Sequence, residues 1–292
     1  MNRQVTPKVT PKALFLTADL RDPVLAINEL SCQALLLEMR FRGMTLSTGT
    51  GFVVDTPVGP ALMTNRHNVT GRNNDTGVLL SPQTGAVPDE LLIRHNKLGS
   101  IGQTVQIVEP LYKDDVPLWV EHPRLGGKAD FVALPLTGIV GVALMPITTG
   151  RPEHALMARP ASNVSVIGFP FGLSAGFNFA IWATGFIASE PCVNYDNLPI
   201  FLIDCRTRQG QSGSPVFIVS SGGMAALESG ATAAFDGPVA RFMGIYSGRI
   251  NAESDLGKVW KAEAVFELIT SLRRVGDRIQ AAKPIFAFKH SL

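Results

Sequence analysis

The chain has 292 residues, of which 46% are hydrophobic and 17% charged, with a formal net charge of +2 and a pI near 8.5. This length is enough for one large domain or for two lobes that share an interface. The weak, evenly spread positive charge gives no electrostatic basis for binding nucleic acid or an anionic membrane surface, so we expect neither as a partner.

The N-terminal region predicts a loose arm followed by one short helix. Residues 1 to about 20 contain two prolines set among threonines and lysines. Asp22-Pro23 has the pattern of a cap followed by proline at the first helical position, which predicts a helix over residues 22–31.

From Ala34 onward the pattern is typical of short β-strands. Apolar runs alternate with Gly, Pro, Asn and Asp, and the chain holds 28 glycines and 20 prolines. Many short strands with turn signals between them favour a β-sandwich or barrel. One apolar stretch, residues 164–188, has the hydropathy of a membrane span. Four glycines and a proline interrupt it, however, so we interpret it as a pair of buried strands in a soluble protein.

The C-terminal region predicts an amphipathic helix over residues 258–281 that packs on the β-structure. Its apolar positions recur at steps of three and four residues. These positions are Val265, Leu268, Ile269, Leu272, Val275 and Ile279. The predicted organisation is therefore an arm and short helix in residues 1–33, a first β-unit in 34–145, a second in 146–257, and a helix and tail in 258–292.

Cys32, Cys192 and Cys205 are odd in number and widely spaced, which is not the pattern of a disulfide framework. It is typical of a reducing compartment, where buried thiols act as small apolar groups. A Cys192–Cys205 bridge stays open as an alternative. The apolar stretch Ala13–Leu16 is far too short for a secretory signal, so we expect a cytoplasmic location.

Three local patterns supply the residue types that nucleophilic catalysis needs. Thr-Asn-Arg-His ends two predicted strands at His67, Asp-Phe-Val-Ala-Leu begins at Asp130, and Gly-Gln-Ser-Gly-Ser-Pro holds Ser212 in a glycine-rich turn. A serine nucleophile needs a base to take its proton and a third group to orient that base. Imidazole suits the base because its ordinary pKa lies near neutrality. The turn can also aim the backbone N–H groups of Gly210 and Ser212 at a developing oxyanion.

Taken in this order, the three motifs resemble those of the trypsin-like (chymotrypsin-fold) serine peptidases, with a closer likeness to bacterial glutamyl endopeptidases and heat-shock trypsin-like proteases. His67 and Asp130 are 63 residues apart (130 − 67), and Asp130 and Ser212 are 82 apart (212 − 130). The resemblance spans about residues 34 to 281. It implies two six-stranded antiparallel β-barrels, with His67 and Asp130 on the first and Ser212 on the second.

The resemblance implies a bacterial endopeptidase that acts on protein or peptide substrates through an acyl-enzyme, with no metal or other cofactor. It also implies that residues 206–211 and 246–249 line the primary specificity pocket. The substrate-binding residues expected from it are Arg206, Thr207, Tyr246, Ser247 and Arg249. Tyr246 stands where glutamyl endopeptidases have a carboxylate-binding histidine, so a preference for acidic substrates through Arg206 or Arg249 is only a hypothesis.

Two alternatives stay open. A catalytically silent module of the same fold would use the cleft only to bind peptides. An esterase of the α/β-hydrolase class would order its triad Ser, acid, His, whereas the order here is His, Asp, Ser. Oligomeric state is left open as well. The remaining histidines show no metal-ligand spacing, and we expect surface or structural positions for them. They are His95, His122, His154 and His290.

Overall fold

Antiparallel strands make up most of the chain in the computed structural model, which describes residues 13–16, 25–150, 152, 154–251 and 253–281. Two short helices, α1 (Leu30–Gln33) and α2 (Arg66–Thr70), lie in its first half. The strands there are β1 (Ala13–Leu16), β2 (Leu25–Asn28), β3 (Ala34–Phe41), β4 (Met44–Thr56), β5 (Gly59–Thr64), β6 (Glu90–Lys97), β7 (Ser100–Pro110), β8 (Tyr112–Lys113), β9 (Val116–Pro117), β10 (Val120–Glu121) and β11 (Val132–Pro135).

In the first lobe, seven strands form one antiparallel sheet in the order β10–β11–β5–β4–β3–β6–β7. A six-stranded barrel is the expectation for this region. The sheet has one strand more, the two-residue strand β10, which pairs with β11. No ladder joins β7 to β10 in the part of the chain that the structure describes.

The second lobe is a closed six-stranded barrel in the order β12–β13–β14–β19–β18–β15. A hairpin of two further strands, β16 and β17, extends from it. The strands of this lobe are β12 (Asn163–Gly168), β13 (Ile181–Ile187), β14 (Ile200–Asp204), β15 (Pro215–Ser220), β16 (Gly223–Ala226), β17 (Thr232–Phe235), β18 (Val239–Arg249) and β19 (Leu256–Lys261). The predicted all-β architecture, with strands in both lobes and a helix at the C-terminal end, is confirmed.

The short N-terminal helix lies later in the chain than the sequence predicts. Residues 25–28 are strand β2, which pairs with β1, and the helix is confined to Leu30–Gln33. The Asn28 side-chain oxygen accepts a hydrogen bond from the Leu30 N–H at 3.0 Å and so satisfies the first free donor of this helix. The rest of the predicted helix and most of the arm lie outside the described residues.

The C-terminal helix α3 (Ala262–Ala281) also begins later than predicted. Residues 258–261 belong to β19, which pairs with both β14 and β18 and thereby closes the barrel. The predicted boundary at residue 258 therefore falls inside a strand. Four of the predicted apolar positions, Val265, Leu268, Ile269 and Leu272, are buried. The side chains of the other two, Val275 and Ile279, lie outside the described residues. Within the described residues, no helix is long and apolar enough to cross a membrane.

The two lobes share a core because β4 is buried on both faces. Val53 lies in the cluster inside the first lobe, whereas Phe52 and Val54 lie in a cluster that also contains Phe242 of the barrel and Leu268 of α3. The rings of Phe52 and Phe242 meet edge to face with centroids 5.6 Å apart. Alternation along a strand sends successive side chains to opposite faces, so one strand serves both cores.

The three cysteines are free thiols, so the alternative of a Cys192–Cys205 bridge is not realised in the structure. Cys32 and Cys205 are buried, and burial raises the pKa of each thiol to about 11. Both are therefore protonated, weakly reactive groups at neutral pH. Cys192 is exposed.

The buried His95 makes the free energy of unfolding depend on pH. The residue is 1% exposed, and desolvation lowers the pKa of its imidazole from 6.5 to about 4. Between these values the unfolded chain binds a proton that the folded chain does not, so stability falls as pH falls. We expect this group alone to remove about 2 kcal/mol between pH 7 and pH 5.

Urea denaturation at the two pH values measures this loss. His95→Leu should lose about 2 kcal/mol less than the wild type over the same interval, because leucine cannot titrate. An equal loss in both proteins would show that His95 does not carry the dependence.

Candidate active site

Strand pairing brings His67 and Asp130 together. His67 lies in the first turn of α2, directly after β5, and Asp130 lies just before β11. These strands are antiparallel neighbours, with Thr64 opposite Val132. The residues that follow Thr64 and those that precede Val132 therefore meet at the same end of the sheet.

The Asp130 side chain is 8% exposed, and donors surround its carboxylate. His67 Nδ1 lies 2.7 Å from Oδ2, and the His67 backbone N–H donates to Oδ1 at 3.0 Å. Ser247 Oγ donates to Oδ2 at 2.6 Å, and Asn65 Nδ2 donates to the Asp130 backbone carbonyl at 2.6 Å. A carboxylate facing Nδ1 requires the ring proton there, which leaves Nε2 of His67 as the basic nitrogen.

Ser212 lies in a turn in which a residue on each side of it, Gly210 and Gly213, has to be glycine. Gly210 has φ +93° and Gly213 has φ +89°, which are left-handed values that favour glycine. A Cβ on Gly210 would lie 2.4 Å from the Phe169 carbonyl oxygen, and one on Gly213 would lie 2.1 Å from the Thr50 carbonyl oxygen. The glycine-rich motif is therefore required by close backbone approach as well as by the turn.

Residues of the first lobe donate hydrogen bonds to the carbonyl groups of this turn. The Thr50 N–H donates to the Ser212 carbonyl at 2.9 Å, and Asn68 Nδ2 donates to the same oxygen at 3.2 Å. Thr50 Oγ1 donates to the Gly210 carbonyl at 2.8 Å. Among the described residues, the backbone N–H groups of Gly210 and Ser212 donate to no protein acceptor. Two unpaired donors beside a serine are the arrangement that stabilises an oxyanion.

His67, Asp130 and Ser212 line one open cleft of about 200 Å³, which Ser247 and Arg249 also line. The wall of this cleft is the end of β18. An imidazole ordered by a carboxylate and a serine in one cleft, with unpaired N–H donors in the turn of that serine, is the set of groups needed for acyl transfer.

The other predicted substrate-binding residues have different surroundings. Thr207 and Tyr246 are buried, and their hydroxyl oxygens lie 2.5 Å apart. Burial raises the pKa of Tyr246 to about 12. The Arg206 side chain is 85% exposed and lies 4.0 Å from Asp255. Contact of these residues with substrate stays a prediction.

Sequence reasoning did not assign the roles of Thr50, Asn65 and Asn68, and it placed Ser247 only beside the substrate. Asn65 and Asn68 flank His67 in the motif, so their proximity to the site was readable from the sequence. Gly210, which accepts from the Thr50 hydroxyl, and Asp130, which accepts from Ser247, each lie more than a hundred residues away, and no local pattern points to them.

A family model described as a trypsin-like peptidase domain matches residues 49–227, which is more than half of the chain and includes the three motifs. This chain belongs to the trypsin-like serine peptidases. No match is found for the peptidase among curated proteins.

Solved structures similar to this peptidase include the serine endoprotease from Yersinia pestis, at 14% identity over 84% of this chain and 64% of that one, with a TM-score of 0.48. The HtrA-type protease AlgW with tripeptide matches at 14% identity over 84% of this chain and 62% of its own, with a TM-score of 0.49. The thermostable serine protease AL20 from an extremophilic microorganism matches at 12% identity over 84% and 98%, with a TM-score of 0.49. The peptidase thus spans less than two thirds of the length of the first two.

Thr50→Val tests the hold of the first lobe on the Ser212 turn. The Thr50 hydroxyl accepts from the Phe169 N–H at 3.1 Å and donates to the Gly210 carbonyl at 2.8 Å, and the residue is fully buried. Valine keeps the shape but leaves both groups unpaired, so we expect a loss of about 2–4 kcal/mol in the free energy of unfolding.

Urea denaturation measures this loss, with Thr232→Val as the matched control because Thr232 is exposed on β17. The control should stay within about 0.5 kcal/mol of the wild type. Equal stabilities of the two variants would refute the role of the Thr50 hydroxyl.

Proposed function

We propose that this chain is an endopeptidase in which Ser212 is the nucleophile, His67 the base and Asp130 the group that orients His67. The observation that carries the proposal is the 2.7 Å contact between His67 Nδ1 and Asp130 Oδ2 in the cleft that Ser212 also lines. The substrate is a protein or peptide, and no step of the reaction requires a cofactor.

In the first half of the reaction, Ser212 Oγ attacks the scissile carbonyl carbon while its proton passes to Nε2 of His67. Asp130 stabilises the resulting imidazolium through the Nδ1 proton. The carbonyl oxygen becomes an oxyanion that accepts from the N–H groups of Gly210 and Ser212. Each such donor typically contributes about 3–4 kcal/mol of transition-state stabilisation.

Collapse of this intermediate breaks the C–N bond. His67 gives its proton to the leaving amine, and the acyl group stays on Ser212 as an ester. In the second half, water gives a proton to His67 and attacks the ester carbonyl. Release of the acid restores the Ser212 hydroxyl, so each turnover consumes one water and one peptide bond.

The expected location and substrate preference extend this proposal. Three free thiols support a reducing, cytoplasmic environment. Arg249 lines the cleft beside Ser212, which supports the hypothesis of an acidic preference in the primary pocket more than the position of Arg206 does.

Labelling with a fluorophosphonate probe tests the proposed nucleophile. The probe reacts with a serine only when a base activates it, so we expect the wild type to be labelled. Ser212→Ala should abolish labelling because the attacked oxygen is gone. His67→Ala should lower the rate at least about a thousandfold because the base is gone.

Ser221→Ala is the matched control, since Ser221 is exposed on the same barrel and should label like the wild type. Circular dichroism establishes that each variant is folded. A folded wild type that does not label would contradict the proposal and would favour a silent module that only binds peptides.

A further inference from the structure

The segment after α2 forms a self-contained loop, residues 72–80, called the strap below. The Asn73 side-chain oxygen accepts from the N–H groups of Asp75 and Thr76 at 3.0 and 2.9 Å. The Asn73 backbone N–H donates to the Val78 carbonyl at 2.8 Å, and the Leu80 N–H donates to the Gly71 carbonyl at 2.8 Å. These bonds give the strap a defined shape.

The strap belongs to the first lobe and contacts the second through an ion pair. Asp75 Oδ2 lies 2.8 Å from Lys258 Nζ, and Lys258 is on β19 of the barrel. Behind this ion pair, Asn74 Nδ2 donates to the Gly127 carbonyl at 3.1 Å, which attaches the strap to its own lobe. Asp75 and Lys258 both line the cleft that contains His67 and Ser212.

Lys258 is placed to meet a substrate. It lies opposite Gly248 on β18, so both positions project from the same face of the barrel. A Cβ on Gly248 would meet no atom within 4 Å, so the space above this position is open. Ser247, Gly248 and Arg249 form the cleft wall, and Lys258 adds an ammonium group to it.

The ion pair is asymmetric. The Lys258 side chain is 20% exposed, whereas that of Asp75 is 69% exposed. A pair with one such exposed partner contributes at most about 1 kcal/mol, so another carboxylate can replace Asp75 at little cost. A neutral substrate side chain would leave the ammonium with Asp75 or with no partner.

We propose that Lys258 is a specificity-determining residue that binds an acidic substrate side chain, and that Asp75 occupies its place in the free protein. This inference rests on the proposed function. Lys258 and Asp75 lie outside the two segments expected to line the primary pocket, 206–211 and 246–249, so the subsite adjoins that pocket and is formed by different side chains. Arg249 supports the same preference, because it lines the same cleft, where the other carboxylate, that of Asp130, already accepts from His67 and Ser247.

The test uses internally quenched hexapeptides in which each position in turn carries Glu or its uncharged analogue Gln. Cleavage is measured with the wild type, and binding is measured by fluorescence anisotropy with Ser212→Ala, which cannot cleave. Each measurement is repeated with Lys258→Met and with Lys113→Met. Lys113→Met is the matched control, because it removes the same charge from an exposed position on β8.

We expect Glu to be preferred over Gln about threefold to fivefold at one position. The preference should disappear in Lys258→Met and persist in Lys113→Met. Asp75→Asn, at an exposed position that any polar residue can occupy, should raise the affinity for the Glu peptide and leave the Gln peptide unchanged. This second variant keeps the test valid even where Lys258→Met does not fold.

The outcomes separate the two proposals. A Glu preference in binding that depends on Lys258, without cleavage or fluorophosphonate labelling, would overturn the proposed catalysis and leave the subsite standing. Cleavage with equal use of Glu and Gln at every position, or with a preference that Lys258→Met does not change, would overturn the subsite alone. No gain of Glu affinity in Asp75→Asn would likewise overturn it.

Discussion

The geometry of the site depends on Thr50, a buried residue that is not one of the proposed reacting groups. Thr50 uses its backbone N–H and its hydroxyl to hold the carbonyls of Ser212 and Gly210. Its own carbonyl accepts from the Thr64 hydroxyl at 2.8 Å, one strand away. Since β5 leads from Thr64 into the helix of His67, a short chain of hydrogen bonds connects Ser212, the proposed nucleophile, to His67, the proposed base. The two groups sit on different lobes, and this connection fixes the distance between them.

The shared core makes that connection rigid. Phe52 and Val54 are two and four residues from Thr50 on the same strand, and they pack into the cluster between the lobes. The hydrogen bonds of Thr50 and the apolar contacts between the lobes therefore come from the same strand, β4. Interiors are close-packed and resist small shifts, so burial on both faces of β4 limits how far the Ser212 turn and His67 can separate.

The sequence contained enough to predict the strand-rich fold, the ordered histidine, aspartate and serine motifs, and the buried face of α3, because these depend on local spacing. Strand β19 was misread because its apolar residues run directly into the helical pattern. The N-terminal helix was misplaced because Asn28, whose side chain accepts from the Leu30 N–H, lies only six residues after Asp22. The roles of Thr50 and Ser247, and the ion pair of Asp75 with Lys258, which are 183 residues apart, depend on tertiary contacts with no local signature. The substrate-binding roles of Arg206, Thr207, Tyr246 and Arg249 stay predictions.

Gly213 imposes a restriction on how this chain can change over generations. Any side chain there would clash with the Thr50 carbonyl. It would therefore disturb the contact between the two lobes as well as the turn beside Ser212. A lineage that gave up catalysis could discard Ser212 freely, but not this glycine. A descendant that only bound peptides would therefore still carry this glycine of the serine motif.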